Sequence, residues 1–430
     1  YTQNGSRGLI GGEQGYAYAY TITFGGGLAN TNLPLTAFGR NGAEAMATFV
    51  ARGGVNVRVW DGATLELDGS SGNLTIANKH LTLHGSVVGN AGSLRNLAGD
   101  NTWNGPVFLA SDSTIDVASG SLLTLSGGVQ SGSGELRKVG GGTLQFPSGT
   151  PANNQSRTII DAGTVEVLGT LGTVQINGGT LQGTGTVGAL TVTSSGGAVR
   201  PGDTVSGSTV GTLSAGNTAW NPQTIFSVDL VSPANHDQLN VTGNIDLGSA
   251  TLTGTAANSI NVGDAFTIIQ TTGGTVSGQF AGPSTTPTLT GANGATIVYI
   301  GGVKFVANYF NNQVVLTREL ANVSIQLTTS VTSPVYGQPF TVIATLTPEP
   351  LAPLPSGSVI FTYTDPNGNV QTQTVTIDSS GQAAFDPTQW GPLDLGTHNF
   401  SVNYNGQNSS NQQVFNPASA TLDVDITAAP

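Results

Sequence analysis

The chain has 430 residues, enough for two or three domains of ordinary size. Only 8% of the residues are charged and the net charge is −12, so we expect no nucleic-acid partner, because an acidic surface repels phosphate groups. Cysteine is absent, which excludes disulfides, thiolate metal sites and cysteine nucleophiles. No apolar run approaches the roughly 18 residues that cross a bilayer, and we expect no membrane insertion.

Residues 1–54 are predicted to form a β-rich segment, either a partial module or a donor strand. Tyr20, Ile22 and Phe24 alternate with polar residues, as side chains on one face of a strand do. We predict that this strand pairs with another chain, because the segment has no evident partner strand of its own. The stretch 42–52 has the composition of a helix, but its β-rich flanks favour a strand. Since the chain opens with Tyr1 and shows no signal peptide, we expect a processed chain or a piece of a longer one.

From residue 55 to residue 219, very short apolar runs alternate with corners rich in glycine and asparagine. The runs lie about seven to ten residues apart, which is too close for hairpins of normal strand length. This spacing favours a right-handed parallel β-helix, with alternate side chains in a stacked core, over a meandering sandwich. The clearest runs are Leu65–Leu67, Leu74–Ile76, Leu81–Leu83, Ile115–Val117, Leu123–Leu125, Leu144–Phe146, Val165–Val167, Val174–Ile176 and Leu190–Val192.

Two segments of this region, Glu135–Phe146 and Thr158–Gly169, resemble the autotransporter-associated β-strand repeat. The segment Gly178–Val187 is similar to the coils that close many passenger-type stalks. The resemblance covers about residues 55–320 and implies a β-helix stalk on a secreted bacterial repeat protein. Residues 220–320 have longer strands and resemble the terminal β-section of such stalks. That family often has a Gly/Asp-rich turn before its final strand; Asn308–Gln313 stands here instead, which argues against calcium binding.

Residues 321–430 are predicted to form a separate β-sandwich of about seven strands. Val335–Phe340 and Leu395–Tyr404 resemble bacterial Ig-like repeats. No lysine follows Lys304, so this domain cannot contain a Lys–Asn isopeptide bond. The predicted strands are Val323–Leu327, Phe340–Leu346, Ser358–Tyr363, Gln371–Ile377, Gln382–Phe385, His398–Tyr404 and Ala420–Ile426.

Catalytic chemistry is not evident in the sequence, and we expect no enzyme, no catalytic residue, no cofactor and no bound metal. The four histidines are His80, His84, His236 and His398, and none forms a recognisable metal-binding or catalytic motif. A polysaccharide lyase or hydrolase on a β-helix would need clustered carboxylates. The acids of the repeats are instead scattered, and we interpret them as solvated outward groups: Glu66, Asp68, Asp112, Asp116, Glu135, Asp161 and Glu166.

The fold class predicted is therefore all-β: a right-handed parallel β-helix followed by an Ig-like β-sandwich. The function expected is that of an extracellular or cell-surface structural or adhesive protein that self-associates into a filament by end-to-end strand addition. Its expected partner is itself or neighbouring repeats of a longer chain, with a cell-surface glycan as a further possibility. The alternatives are a monomeric adhesin stalk and a polysaccharide-active enzyme.

Overall fold

A computed structural model describes residues 56–85, 92–131, 134–151, 153–202 and 210–429, together with two short backbone segments near the N-terminus. Those two segments, β1 (Phe38–Gly39) and β2 (Ala45–Met46), form an antiparallel pair. The strand β2 lies in the stretch 42–52, whose other residues lie outside the described part. The chain divides into two compact units. The first contains residues 1–227, 237–251 and 269–278, and the second contains 228–236, 252–268 and 279–430.

Short strands account for most of the regular structure up to residue 219. They are β3 (Asn56–Val59), β4 (Leu65–Asp68), β5 (Thr75–Ile76), β6 (His80–Leu83), β7 (Leu94–Ala98), β8 (Asp100–Trp103), β9 (Val107–Leu109), β10 (Ser113–Val117), β11 (Leu122–Leu125), β12 (Val129–Ser131), β13 (Leu136–Val139), β14 (Thr143–Phe146), β15 (Arg157–Ile160), β16 (Thr164–Val167), β17 (Thr173–Ile176), β18 (Thr180–Gly183), β19 (Leu190–Val192), β20 (Gly197–Pro201), β21 (Thr212–Ala215) and β22 (Thr218–Ala219).

The strands from residue 224 to residue 318 are longer on average. They are β23 (Thr224–Ser232), β24 (Asn235–His236), β25 (Gln238–Thr242), β26 (Ile245–Asp246), β27 (Thr251–Ala256), β28 (Ala265–Thr272), β29 (Val276–Ser277), β30 (Ser284–Thr285), β31 (Ala295–Ile300), β32 (Val303–Tyr309) and β33 (Gln313–Arg318).

Parallel pairing organises the first unit. From β3 to β23, consecutive strands along the chain lie in different sheets, and each strand of a parallel sheet pairs with a strand two to four places later. We call the stretch of chain between two such partners a circuit. One such sheet runs β4, β7, β10, β13, β15, β17, β19, β22, β26 and β29, and a second runs from β5 through β8, β11, β14, β16 and β18 to β20 and β23. A smaller sheet contains β3, β6, β9 and β12.

The core of the first unit consists of columns of side chains stacked from strand to strand. In the first sheet, the register places one inward residue of each strand against the next. The buried column is Leu65, Leu94, Ile115, Lys138, Ile160, Ile176 and Val192. It is aliphatic except at Lys138. The alternation of inward and outward residues follows from the period of two along a strand, and it confirms the short strands predicted in this region.

In the second unit, β30–β33 form an antiparallel meander. The C-terminal strands are β34 (Val323–Thr329), β35 (Val342–Pro348), β36 (Ser358–Thr364), β37 (Val370–Thr376), β38 (Gln382–Phe385), β39 (Gly396–Tyr404) and β40 (Ala418–Ile426). They build two facing antiparallel sheets, β34-β35-β38 and β37-β36-β39-β40. All seven strands predicted for this sandwich are present. A single 3-10 turn, Pro387–Trp390, is the only helical element in the described residues.

Aromatic side chains fill the centre of the sandwich, because the inward residues of both sheets meet there. The rings of Phe361 and Phe385 stack with centroids 5.1 Å apart, and Phe400 lies 6.2 Å from Phe385. The observed class is thus all-β with a C-terminal sandwich, as expected. The predicted segment boundaries at 54, 219 and 320 stay predictions.

Candidate functional site

Arginines pair with the acids on the outward face of the parallel sheets. Arg95 lies between Glu66 and Asp116, with Nη1 3.3 Å from the Glu66 carboxylate and Nε 3.0 Å from that of Asp116. Each contact joins neighbouring circuits of the chain. Two further cross-strand pairs are Arg157 with Glu135 and Arg137 with Asp161. The expectation that these acids are solvated is wrong for Glu66, which is only 5% exposed, because its neighbours one circuit away cover it.

Glu166 is the acid whose surroundings differ most from the expectation. It is 0% exposed although its strand neighbours Val165 and Val167 occupy the inner face. Gln145 Nε2 donates to Oε2 at 2.7 Å, and Gln182 Nε2 donates to Oε1 at 3.1 Å. The expectation of solvation is therefore wrong here as well. Two amides from adjacent strands hold Glu166 as a hydrogen-bond acceptor, which compensates for its burial.

The Glu166 carboxylate accepts from two glutamine amides, which are neutral hydrogen-bond donors. Across the described residues, no group of three or more histidine, aspartate or glutamate side chains is placed to hold a metal ion. The geometry of the outward columns is that of cross-strand hydrogen bonds and ion pairs, which join consecutive circuits.

Lys138 is the most unusual ionisable group of the first unit. It stands in the inward column between Ile115 and Ile160 and is 0% exposed. Its stem lies in the core, and Nζ donates to three backbone carbonyl oxygens: Val139 at 2.7 Å, Gly140 at 2.8 Å and Ala162 at 3.2 Å. Burial lowers the pKa of Lys138 to about 8, and the nearby charge of Asp116 opposes that shift. Our sequence reasoning missed this position, although alternation with Leu136 was the signal for it.

The histidines have separate structural surroundings. His84 stacks on Trp60 with ring centroids 4.4 Å apart, and burial together with Arg58 lowers the pKa of His84. His80 instead packs against Phe108 at 5.9 Å. His80 and His84 therefore each pack on a different aromatic ring.

His398 lies inside the sandwich and is completely buried. Its Nε2 is 2.8 Å from the carbonyl oxygen of Asp394, which can only accept, so Nε2 carries a proton. Nδ1 then accepts from the Tyr363 hydroxyl at 2.8 Å. Burial raises the pKa of Tyr363 to about 12, so the phenol stays protonated as the donor. This histidine has a structural role within the core.

Two antiparallel sheets of three and four strands around an aromatic core are the decisive observation for the C-terminal region. Residues 327–427 match the bacterial Ig-like domain (group 3). The sandwich is referred to below as the Ig-like domain. The predicted resemblance of this region to bacterial Ig-like repeats is confirmed.

Comparisons with curated proteins and with solved structures show weaker similarity or none. No curated protein matches the chain. Among solved structures, the chain is similar to the chitinase ChiW from Paenibacillus sp. str. FPU-7, described as a bacterial cell-surface-expressed multi-modular enzyme machinery. The identity is 14% and the TM-score is 0.19, over 76% of this chain and 24% of the chitinase. The match thus spans about a quarter of that protein. No helix in the described part of the chain is long and apolar enough to cross a membrane.

An ion pair between a buried lysine and a half-buried glutamate lies where the Ig-like domain meets the antiparallel meander inside the second unit. Lys304 Nζ on β32 is 2.8 Å from Glu349 Oε1, and the Lys304 side chain is only 8% exposed. The Tyr299 hydroxyl on β31 donates to the same oxygen at 2.8 Å, and Asn322 Nδ2 donates to Oε2 at 3.0 Å. Burial alone would raise the pKa of Glu349, but the bonds from Lys304, Tyr299 and Asn322 lower it overall.

A second contact reinforces this junction. The Arg318 guanidinium donates to the carbonyl oxygens of Ile260 and Gln413, so one side chain links the meander to the loop before β40. Tyr299 also packs against the hydrophobic core of the Ig-like domain. The meander and the Ig-like domain are therefore joined by charged and apolar contacts together.

Replacing Glu349 by glutamine is expected to destabilise the second unit by about 3 kcal/mol, because it leaves the Lys304 ammonium buried without a counter-charge. The lowered pKa of Glu349 also means that its contribution is present above the unfolded carboxyl pKa and is lost as the pH falls through the folded value. Denaturant unfolding of wild type and Glu349→Gln between pH 7 and pH 3 measures both effects.

The double variant Lys304→Met/Glu349→Met is the matched control, because it removes both charges. It is expected to be more stable than Glu349→Gln alone. Equal acid sensitivity of the wild type and Glu349→Gln would contradict this assignment.

The outer face of the Ig-like domain carries two adjoining shallow grooves of about 390 and 380 Å³. Ser358 and Asn405 line both of them. The first is also lined by Thr374, Asn403 and the half-exposed Ile360. The lining consists of hydroxyl, amide and apolar groups and contains no charged side chain. Our sequence reasoning did not identify this surface.

The predicted inter-subunit strand Tyr20, Ile22 and Phe24 lies outside the described residues.

Proposed function

We propose that the chain is a structural, non-enzymatic segment of an extracellular bacterial surface protein, built to span distance and bear load. The single observation that carries this proposal is the register of the first unit, in which ten strands of one sheet pair in succession. Such nearest-neighbour stacking suits a spacer, because each circuit adds a fixed rise and contacts only its neighbours. We infer that this unit is a right-handed parallel β-helix of the passenger-stalk type.

The contacts of the outward face support the same function. Cross-strand bonds such as Gln145 to Glu166 and ion pairs such as Arg95 to Asp116 connect consecutive circuits. A pull along the stacking direction would load these contacts and the backbone ladder together. The Lys304–Glu349 pair would in turn transmit force between the meander and the Ig-like domain. The similarity of residues 327–427 to a bacterial Ig-like family supports a surface location.

Single-molecule force spectroscopy of the full chain tests this proposal. Leu136 pairs with Thr158, 22 residues later, and Thr158 pairs with Val174, 16 residues later. At about 3.5 Å of extended chain per residue, each circuit that peels away should release roughly 55 to 80 Å. The Ig-like domain should unfold in one larger step, about 350 Å for its 101 matched residues.

A series of regular small steps is the expected result. Collapse of the first unit in a single event at low force would contradict a load-bearing stack. Cleavage of acidic polysaccharides by the purified chain would contradict the non-enzymatic part of the proposal and restore the alternative of a lyase or hydrolase.

A further inference from the structure

Strand β37 forms one edge of the four-stranded sheet of the Ig-like domain. It pairs with β36 over its whole length, from Ser358 opposite Thr376 to Thr364 opposite Val370, without a register shift. Among the residues that the structure describes, no backbone hydrogen bond from outside β36 reaches the range 370–376. The outer side of β37 therefore presents unpaired backbone N–H and C=O groups along seven residues.

The sequence of this edge has none of the features that normally protect an edge strand. It reads Val-Gln-Thr-Gln-Thr-Val-Thr, without charge, proline or glycine. Val370 is 60% exposed, and Thr372, Thr374 and Thr376 are exposed as well. Natural proteins usually place lysine, proline, a bulge or a short strand at such an edge. Valine and threonine instead favour strand pairing.

Two of the other three edges of the sandwich are protected. Strand β40 carries Asp423 and Asp425, and directly after it Tyr336 N donates to the carbonyl oxygen of Thr427 at 2.8 Å. Strand β38 has only four residues. Strand β34 is equally long and uncharged, but its Leu327 is buried in the core, and only Ser324, Gln326 and Thr328 are exposed. Strand β37 has five exposed residues and none that is buried, so it is the more exposed of the two long uncharged edges in the described sandwich.

We propose that β37 is a self-association site, at which a second copy of this chain adds its own β37 in antiparallel orientation about a twofold axis through Gln373. This register places Val370 of each copy opposite Thr376 of the other, Gln371 opposite Val375, and Thr372 opposite Thr374. Every cross-strand pair is uncharged, and the Thr–Thr pair can hydrogen-bond.

A second copy is the occupant for two reasons. The strand is complementary to itself, and the net charge of the chain disfavours contact between most other surfaces of two copies. The chain has a net charge of −12, so two copies repel each other over most of their surfaces. An uncharged edge is where they can approach. A contact of this isologous type closes at two copies and forms a dimer rather than a filament. The inference goes beyond the proposed load-bearing function and does not depend on it.

Sedimentation equilibrium of the full chain tests the inference, and the wild type is expected to show a concentration-dependent monomer–dimer equilibrium. The variant Thr372→Lys/Thr374→Lys places lysine opposite lysine at two positions and should weaken association about tenfold. The variant Thr372→Glu/Thr374→Glu should weaken it similarly. An equimolar mixture of the two variants should associate at least as well as the wild type, because each lysine then faces a glutamate.

The matched control is Ser419→Lys/Thr421→Lys on β40, at the opposite edge of the same sheet, which should leave dimerisation unchanged. A wild type that stays monomeric at millimolar concentration would overturn the proposal, as would charge variants that associate normally or a mixture that does not recover. Association lost only on removal of residues 1–54 would overturn it in favour of the N-terminal strand. None of these outcomes changes the step pattern expected under force, so the two proposals fail separately.

Discussion

Replacing Lys138 by glutamate is expected to destabilise the first unit by about 4 kcal/mol. Glutamate would place a carboxylate in the aliphatic column between Ile115 and Ile160, at a position that is 0% exposed. The carbonyl oxygens of Val139, Gly140 and Ala162 now accept from Nζ, and they would face further acceptors instead of a donor. An uncompensated buried charge costs about 3–5 kcal/mol. Denaturant unfolding, with hydrogen-exchange protection of β10, β13 and β15 as the local readout, measures the loss.

Lys138→Met is the matched control, because methionine fills the same column without a charge. Its expected cost is smaller, about 1–2 kcal/mol, since the carbonyls lose a donor while the desolvation of the ammonium disappears. Equal losses in the two variants would show that the side-chain volume matters and the charge does not.

The free energy of unfolding of the wild type should also depend on pH at this residue, and the sign follows from the pKa of Lys138. Burial lowers the pKa of Lys138 to about 8, below the value of about 10.4 in an unfolded chain. Between these values the unfolded state binds more protons, so the free energy of unfolding should rise with pH, by about 3 kcal/mol in total. Lys138→Met should lack this rise. Parallel pH profiles for the wild type and Lys138→Met would contradict the assignment.

Replacing Gly183 by alanine is expected to cost about 3 kcal/mol in the first unit. Gly183 ends β18 with a φ of 118°, where an L side chain is strained. An added Cβ would lie 2.1 Å from the carbonyl oxygen of Val167 on the preceding circuit, and 2.8 Å from the carbonyl carbon. Because the obstacle is backbone, the two circuits must move apart, which adds an overpacking cost to the conformational one.

Gly120→Ala separates the two costs. Gly120 also has a positive φ, 77°, but nothing lies within 4 Å of an added Cβ. The free energy of unfolding of Gly120→Ala should therefore fall by only about 1 kcal/mol. Loss of hydrogen-exchange protection in β16, β18 and β20 for Gly183→Ala, with these strands intact in Gly120→Ala, is the expected result. Equal stabilities of the two variants would contradict close stacking of the circuits at Val167.

Sequence patterns predicted the secondary structure well because they reflect local geometry. The runs Leu81–Leu83 and Leu123–Leu125 alternate with a period of two, and each lies in a strand with its leucines buried. The sandwich strands were predicted for the same reason, down to the bounds of β38 at Gln382–Phe385. The absence of cysteine limited the available chemistry in the same direct way.

Distant neighbours decided the environments that the sequence predicted wrongly. Glu166 looked like a solvated acid, yet Gln145 and Gln182, 21 and 16 residues away, bury it. Lys138 alternates with Leu136 and so belongs to the inner face, but only the corner carbonyls show how its charge is accommodated. The charge of a side chain favours solvent, and burial becomes acceptable only when the fold brings a partner to it.

What the sequence determined by itself is the all-β class, the short strands with their inward faces, and the C-terminal sandwich, because each depends on propensity and on a period read over a few residues. Tertiary structure decided which strand pairs with which, and hence the ion pairs of Arg95, the Lys304–Glu349 junction and the open edge of β37. These features join residues separated by a full circuit or by a sheet-to-sheet connection. Local patterns carry no information about register at that distance, so only the folded chain fixes them.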